Sequence, residues 1–221
     1  MPLTEFNWLT SELERRIRRP LPGADAHEAL APPHRRELIR MNPDRLNARL
    51  SGVLLLLSPD TEGEALITLI KRTEDKSVHS GQIAFPGGRF EPDDKSLTCT
   101  ALREAEEEIG IDPTSVTLIG NMSELFVPPS NFIIQPLLAK TGFISGFSPS
   151  PAEVASVFSV PVAYFFKSGV QGMYEIDYRA GIKLQVPGYK YENHLIWGAT
   201  AMILNELLEM IRGNGKVNDA F

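Results

Sequence analysis

Residues 87–111 read GGRFEPDDKSLTCTALREAEEEIGI, and this stretch decides how the rest of the chain is understood. Gly87 and Gly88 follow Pro86, and Pro-Gly and Gly-Gly steps predict a turn. The acidic loop Glu91-Pro92-Asp93-Asp94 comes next, and residues 97–109 read as a helix stopped by Gly110, with Pro113 beyond it. On a helix, positions three and four apart are neighbours, so Glu104, Glu107 and Glu108 share one face. Carboxylates that close repel one another. A divalent cation such as Mg²⁺ removes that cost, taking carboxylate oxygens while keeping waters and substrate phosphates as its other ligands. Arg103 stands where it can pair with and orient a glutamate. The glycines allow backbone groups to approach a metal or a phosphate closely. Charge pattern alone fits a solvated acidic helix equally well; the glycine turn and the Arg103-Glu104 pair at this distance are what it leaves unexplained.

Outward from this segment the chain alternates strand and helix signals. Upstream, SGVLLLLSP and EALITLIKR flank the turn-like Pro59–Gly63 and predict a hairpin, while Ile83–Phe85 is a short apolar run. Residues 4–18 predict a helix, with Trp8, Leu9, Leu13 and Ile17 on one face. Arg15, Arg16, Arg18 and Arg19 close it as a solvated end or a small phosphate-binding patch. Residues 20–34 read as a connecting loop, and HRRELIRMN as a second short helix. Downstream, strands are expected at Thr117–Gly120, Phe132–Leu138, Met173–Tyr178 and Ile182–Val186. Residues 147–151 form a loop, Glu153 lies in a loop-to-helix stretch, and His194–Ile211 predicts a C-terminal helix with His194 at its start beside Trp197. The pattern fits a single α/β (α+β) domain over residues 49–212, with a helical extension over 1–48 packed on it and a tail over 213–221.

Composition narrows the classes. At 43% hydrophobic and 23% charged, 221 residues suffice for a substantial globular core. A net charge of −6 argues against nucleic acid or an anionic membrane as partner. The lone Cys99 excludes an intrachain disulfide and suggests a reducing, cytoplasmic location; a packed, inert thiol is expected there. The N-terminus lacks the apolar core of a signal peptide, and no apolar run approaches the roughly 18 residues that span a bilayer.

Arg103–Ile111 resembles the second half of the Nudix box, R-E-U-x-E-E-x-G-U, where U is a bulky aliphatic residue. The full box is G-x5-E-x7-R-E-U-x-E-E-x-G-U, and here the loop departs from it. Counting forward from Gly88 places the first acid at Asp94, whereas counting back from Arg103 places it at Lys95, so the loop holds one additional residue. Ala105 is a small choice for U. Leu69-Ile70-Lys71-Arg72 followed by His79–Gly88 is similar to the motif upstream of the box in coenzyme A diphosphatases, which also tend to carry an inserted residue in the box. Pro151–Val154 with Phe158–Pro161, and Ile196–Ala201, resemble downstream segments of that subgroup. One position departs from it: Ser77 stands where an arginine is usual, leaving Arg72, Lys71 or Lys76 to take its place.

The resemblance implies an α/β/α sandwich around a mixed sheet and an enzyme that hydrolyses a diphosphate linkage with Mg²⁺ or Mn²⁺. It implies Glu104, Glu107, Glu108 and the backbone at Gly88 as metal-binding groups. Glu104, Arg103 and Glu153 are the expected catalytic residues, and Arg72, His79, Gly87 and Gly88 the expected substrate contacts. Coenzyme A or a derivative is the expected substrate, giving 4′-phosphopantetheine and adenosine 3′,5′-bisphosphate. Another nucleoside diphosphate derivative such as ADP-ribose or NADH, or a regulatory module that binds a nucleotide without cutting it, are the alternatives. A homodimer is compatible with the N-terminal helix and its connection.

Overall fold

A computed structural model describes residues 5–33, 47–74, 81–178 and 182–213. The helix expected at HRRELIRMN, and the residues Lys76, Ser77 and His79, lie outside the described residues. The described elements in chain order are α1 (Phe6–Arg16), α2 (Gly23–Ala29), β1 (Arg49–Pro59), β2 (Ala65–Arg72), β3 (Ile83–Ala84), β4 (Gly87–Arg89) and α3 (Leu97–Ile109). Then follow β5 (Thr117–Asn121), β6 (Leu125–Val127), β7 (Phe132–Lys140), β8 (Val154–Pro161), β9 (Gln171–Tyr178), β10 (Ile182–Tyr191), β11 (His194–Trp197) and α4 (Gly198–Arg212).

The central sheet runs β3-β2-β1-β7-β5, with β4 also on β1, β6 on β7 and β8 on β2. It is mixed: β1 and β7 run parallel from Arg49↔Phe132 to Leu57↔Lys140, while the other pairs are antiparallel. Strand side chains alternate faces, which explains the uninterrupted apolar run Val53–Leu57. Leu54 and Leu56 face α3, packing with Ala101, Ala105, Ile109 and Leu137. Leu55 and Leu57 face the opposite layer, where α1 and α4 contribute Leu9, Leu13, Leu204 and Leu208. Helices thus cover both faces, giving the expected α/β/α sandwich around a mixed sheet. A second sheet, β11-β10-β9, leads into α4.

Helix ends follow their local chemistry. Ser96 caps α3 by accepting from the Cys99 N–H at 3.2 Å, and Gly110 closes it at φ 71°. Glu5 caps α1 by accepting from the Asn7 and Trp8 N–H groups. Arg15 and Arg16 pair with Glu12, and Arg16 also donates to the carbonyls of Met210 and Ile211 at the end of α4. Those two arginines are therefore tied into the fold.

Five expectations need correction. Residues 23–29 are a helix rather than loop: Ala26 and His27 are buried, and Glu206 of α4 accepts from the Gly23 N–H at 3.1 Å and contacts His27 at 3.1 Å. Residues 154–161 form β8 rather than a helix, because the β-branched run pairs with β2 from Leu66↔Pro161 to Arg72↔Val154. His194 begins β11, not α4, since residues 194–197 pair with β10 around the positive-φ Glu192, and its ring stacks on Phe158 at 4.5 Å. The Gly-Gly turn continues into β4, paired with Ser51–Val53 of β1. Cys99 is exposed, not packed.

Candidate active site

The site forms where β1, β4 and the last turns of α3 meet. In the β1–β4 register Gly52 faces Gly88 and Val53 faces Gly87. A side chain at Gly87, where φ is 145°, would strike the Gly52 carbonyl, while a Cβ on Gly88 would lie 2.3 Å from the Glu104 carboxyl carbon. The space a side chain would fill at residue 88 is therefore occupied by a carboxylate. One turn further along α3, Glu108 is 1% exposed and accepts from the Gly87 N–H at 2.8 Å and from Arg72 Nη1 at 3.3 Å.

Burial disfavours the charged form of both carboxylates. Burial pushes Glu108 up to about 7; the Gly87 N–H and Arg72 oppose this, and the charges of Glu104 and Glu153 add to it. Burial likewise raises Glu104, against the pull of Arg103 and with the push of Glu107 and Glu153. A second cation near these oxygens would relieve both.

Arg103 holds the constellation in register. Its Nε and Nη2 grip Asp94 in a two-pronged pair, each at 3.0 Å, and its Nη1 lies 3.0 Å from Glu104 and 3.1 Å from Glu107. Asp94 also accepts from the Thr100 hydroxyl at 2.9 Å and the Glu91 N–H at 3.0 Å. The Arg103 hydrogen bonds hold the Asp94 carboxyl well below the usual carboxylate range, against a smaller opposing effect of burial.

Glu153 is exposed in the segment that docks on the end of α3. There the Ser148 and Ser150 N–H groups donate to the Ile109 and Glu108 carbonyls, and the Glu153 carbonyl accepts from the Thr73 N–H at 3.0 Å. Its backbone is thus anchored while its carboxylate is felt at Glu104 and Glu108. Glu107 is turned away: 55% exposed, it pairs with Arg103. Among the described residues no three His, Cys, Asp or Glu side chains converge as a metal cage. The structure thus brings together Glu104, Glu108, Gly87, Gly88, Arg72 and Arg103, leaves Glu107 at the rim and His79 outside the described residues.

On the sheet face opposite α3, the glycine strand borders a cavity of about 360 Å³. Arg72 and Gly88 lie on its wall together with the apolar side chains of Phe85, Phe132, Trp197 and Ile203. Neither Phe132 nor Trp197 was singled out as a binding residue from the sequence, because nothing in a linear motif says which side of a strand opens on a cavity.

A NUDIX domain model matches residues 48–163. The chain belongs to the Nudix family. Over 170 residues it is 32% identical to the Nudix hydrolase NudL of Photorhabdus laumondii, covering 77% of this chain and 90% of that protein. It is 33% identical over 183 residues to the mitochondrial Nudix hydrolase 15 of Arabidopsis thaliana, covering 80% of this chain but 61% of the longer plant protein. Among solved structures, a MutT/nudix family protein from Enterococcus faecalis is similar over 86% of this chain and 78% of its own, at 13% identity and a TM-score of 0.47.

Within the Nudix box of this chain, the ambiguity of the first acid has a structural answer. Asp94, not Lys95, reaches Arg103. The additional loop residue lets the shorter aspartate arrive from a turn closed by the Asp94 N–H to the Glu91 carbonyl at 3.0 Å. Ala105 is fully buried beside Ala101, where a small side chain brings the Nudix helix close to β1 and seats Glu104 against Gly88.

Proposed function

We propose that the chain is a coenzyme A diphosphatase that cuts the diphosphate of coenzyme A or a derivative, using Mg²⁺ or Mn²⁺. The observation that carries this reading is the Glu104 carboxylate seated in the gap at Gly88 beside the buried Glu108, with Gly88 and Arg72 lining the apolar cavity across the sheet. The residues fit a hard divalent cation: carboxylate oxygens held out of water and raised in pKa by burial and by neighbouring carboxylates, against the pull of Arg103 and Arg72. Glu104 and Glu108 would hold it, with the Gly88 carbonyl and Glu107 assisting. Freeing Glu107 costs little, since an exposed ion pair is worth about 1 kcal/mol or less. When bound, the ion neutralises diphosphate charge and lowers the pKa of a coordinated water.

The chain's own groups do the rest. Arg103, fixed by Asp94, holds the Glu104 carboxylate in place. Arg72, between Glu108 and the cavity, donates to diphosphate oxygens and stabilises charge developing on the leaving phosphate. Glu104 or the exposed Glu153 accepts the proton of the attacking water. The apolar walls around Phe132 and Trp197 exclude water from the neutral part of the substrate. His79 is proposed as a further substrate contact, and a reducing, cytoplasmic location is proposed on the single cysteine.

A substrate panel tests the reading. With Mg²⁺ or Mn²⁺, coenzyme A or its acyl form is expected to be turned over with the highest kcat/KM, giving 4′-phosphopantetheine (or its acyl form) and adenosine 3′,5′-bisphosphate by mass. ADP-ribose or NADH turned over faster would assign the chain to another nucleoside diphosphate derivative instead.

A further inference from the structure

The cavity has a basic mouth that neither the carboxylates nor the diphosphate contacts use. Arg89 follows Gly88 on β4, so its side chain leaves the sheet on the face opposite Glu104, the face of the cavity, which it lines. Arg89 is paired with Ser51 of β1, and Arg49 lies two residues before Ser51 on the same face, a diagonal neighbour across the two strands. Arg49 is also registered with Phe132 of β7. Its guanidinium lies over the Phe132 ring, 4.1 Å from the centroid, and its Nη2 donates to the Ser130 carbonyl at 2.6 Å. Stacking and one hydrogen bond fix the plane of that guanidinium, and its other N–H groups have no hydrogen-bond partner among the described residues. Both arginines are exposed, and among the described residues neither has a carboxylate within ion-pair distance. In a chain of net charge −6, one cation lining the cavity and a second stacked on Phe132 of its wall, neither with an acidic partner among the described residues, point to an anion brought by a ligand.

We propose that Arg49 and Arg89 bind a phosphomonoester of the substrate, separate from the diphosphate that is cut, and so select nucleoside diphosphates carrying an extra phosphate on the ribose. This rests on the diphosphatase reading and deepens it: the 3′-phosphate of coenzyme A is such a group, and ADP-ribose lacks one. Arg89 adjoins Gly88 in sequence, so a ligand with its diphosphate at the glycines has its ribose within reach of the mouth. The role is selection, since both side chains lie across the sheet from the Glu104 carboxylate.

Two measurements on the full chain test it, with wild type and the Arg49→Gln/Arg89→Gln double variant. In calorimetric titrations, wild type is expected to bind adenosine 3′,5′-bisphosphate about tenfold or more tighter than AMP, the scale of charge-assisted hydrogen bonds to one phosphate. In the double variant that preference is expected to fall to within about twofold. In turnover, the kcat/KM ratio of coenzyme A to dephospho-coenzyme A is expected to collapse in parallel. Because both side chains are exposed, the variant is expected to keep the wild-type circular dichroism and melting midpoint. Equal wild-type affinity for the two nucleotides, or a preference that survives in the variant, overturns the assignment. Absence of turnover with both coenzymes counts against the diphosphatase reading alone, because the titration still decides whether the mouth binds a phosphomonoester.

Discussion

Glu104 owes its position to two neighbours. Gly88 leaves the gap that its carboxylate fills, and Arg103 holds it from the other side while gripping Asp94. In Gly88→Ala the new methyl would overlap the carboxylate, a flexible group that moves aside at little cost to folding. Turnover is expected to fall about a hundredfold, the cost of misplacing a reacting group by an ångström, with a nearly unchanged melting midpoint. Near-normal turnover would show that the carboxylate need not occupy that gap. Asp94→Ala removes the two-pronged partner of Arg103 and is expected to lower kcat about 10- to 100-fold with little change in KM. Asp94→Glu tests the loop: if the additional residue is matched to the shorter acid, glutamate rescues only part of that loss. The types and spacing of these residues were legible in the sequence. The choice of Asp94 over Lys95 was not, because a loop conformation and not a count of residues decides which side chain meets Arg103.

At the scale of elements, the central helix and the hydrophobic strands were readable because their signals are local. Ser96 and Gly110 bracket α3, and the run through Val53–Leu57 marks a strand buried on both faces. The errors fell where tertiary pairing outweighs local preference. His194–Trp197 continues the apolar pattern of α4 yet is drawn into β11 by pairing with β10, and Val154–Pro161 is held extended by β2. α2 was missed because its seven residues carry weak signals alone; its stability comes from α4. There Tyr189 donates to Asn205 at 2.7 Å, Asn205 donates to the Ala26 carbonyl at 2.8 Å, and Glu206 meets His27 and Gly23. Burial pushes Glu206 up, but its hydrogen bonds with His27, Ser123 and Gly23 outweigh this and leave it below the ordinary value. A carboxylate whose pKa is lowered by folding contributes stability above its unfolded pKa of about 4.3, and that contribution is lost as pH falls through the lower folded value. Glu206→Gln is therefore expected to cost about 2 kcal/mol at pH 7 and less at pH 3, checked by urea unfolding at both. An equal cost at the two pH values would show that the carboxylate's charge contributes nothing there.

Across the whole molecule, the sandwich places the acidic helix on one face of the sheet and the apolar cavity on the other, with the glycine strand between them. The sandwich was legible through the resemblance of residues 87–111 and the alternation of elements. The cavity was not, since Phe132, Trp197 and Arg89 come from three separate strands and share a lining only after folding. Chelation with EDTA is expected to abolish turnover and leave the circular dichroism unchanged, because the core is built from packed apolar side chains; loss of the fold on chelation would assign the ion a structural role instead. The most direct measurement follows coenzyme A by mass spectrometry with wild type and Glu104→Gln at saturating Mg²⁺. The account predicts 4′-phosphopantetheine and adenosine 3′,5′-bisphosphate from wild type, and at least about a hundredfold lower kcat for Glu104→Gln. Intact coenzyme A after prolonged incubation with wild type, or equal rates for the two proteins, would contradict it.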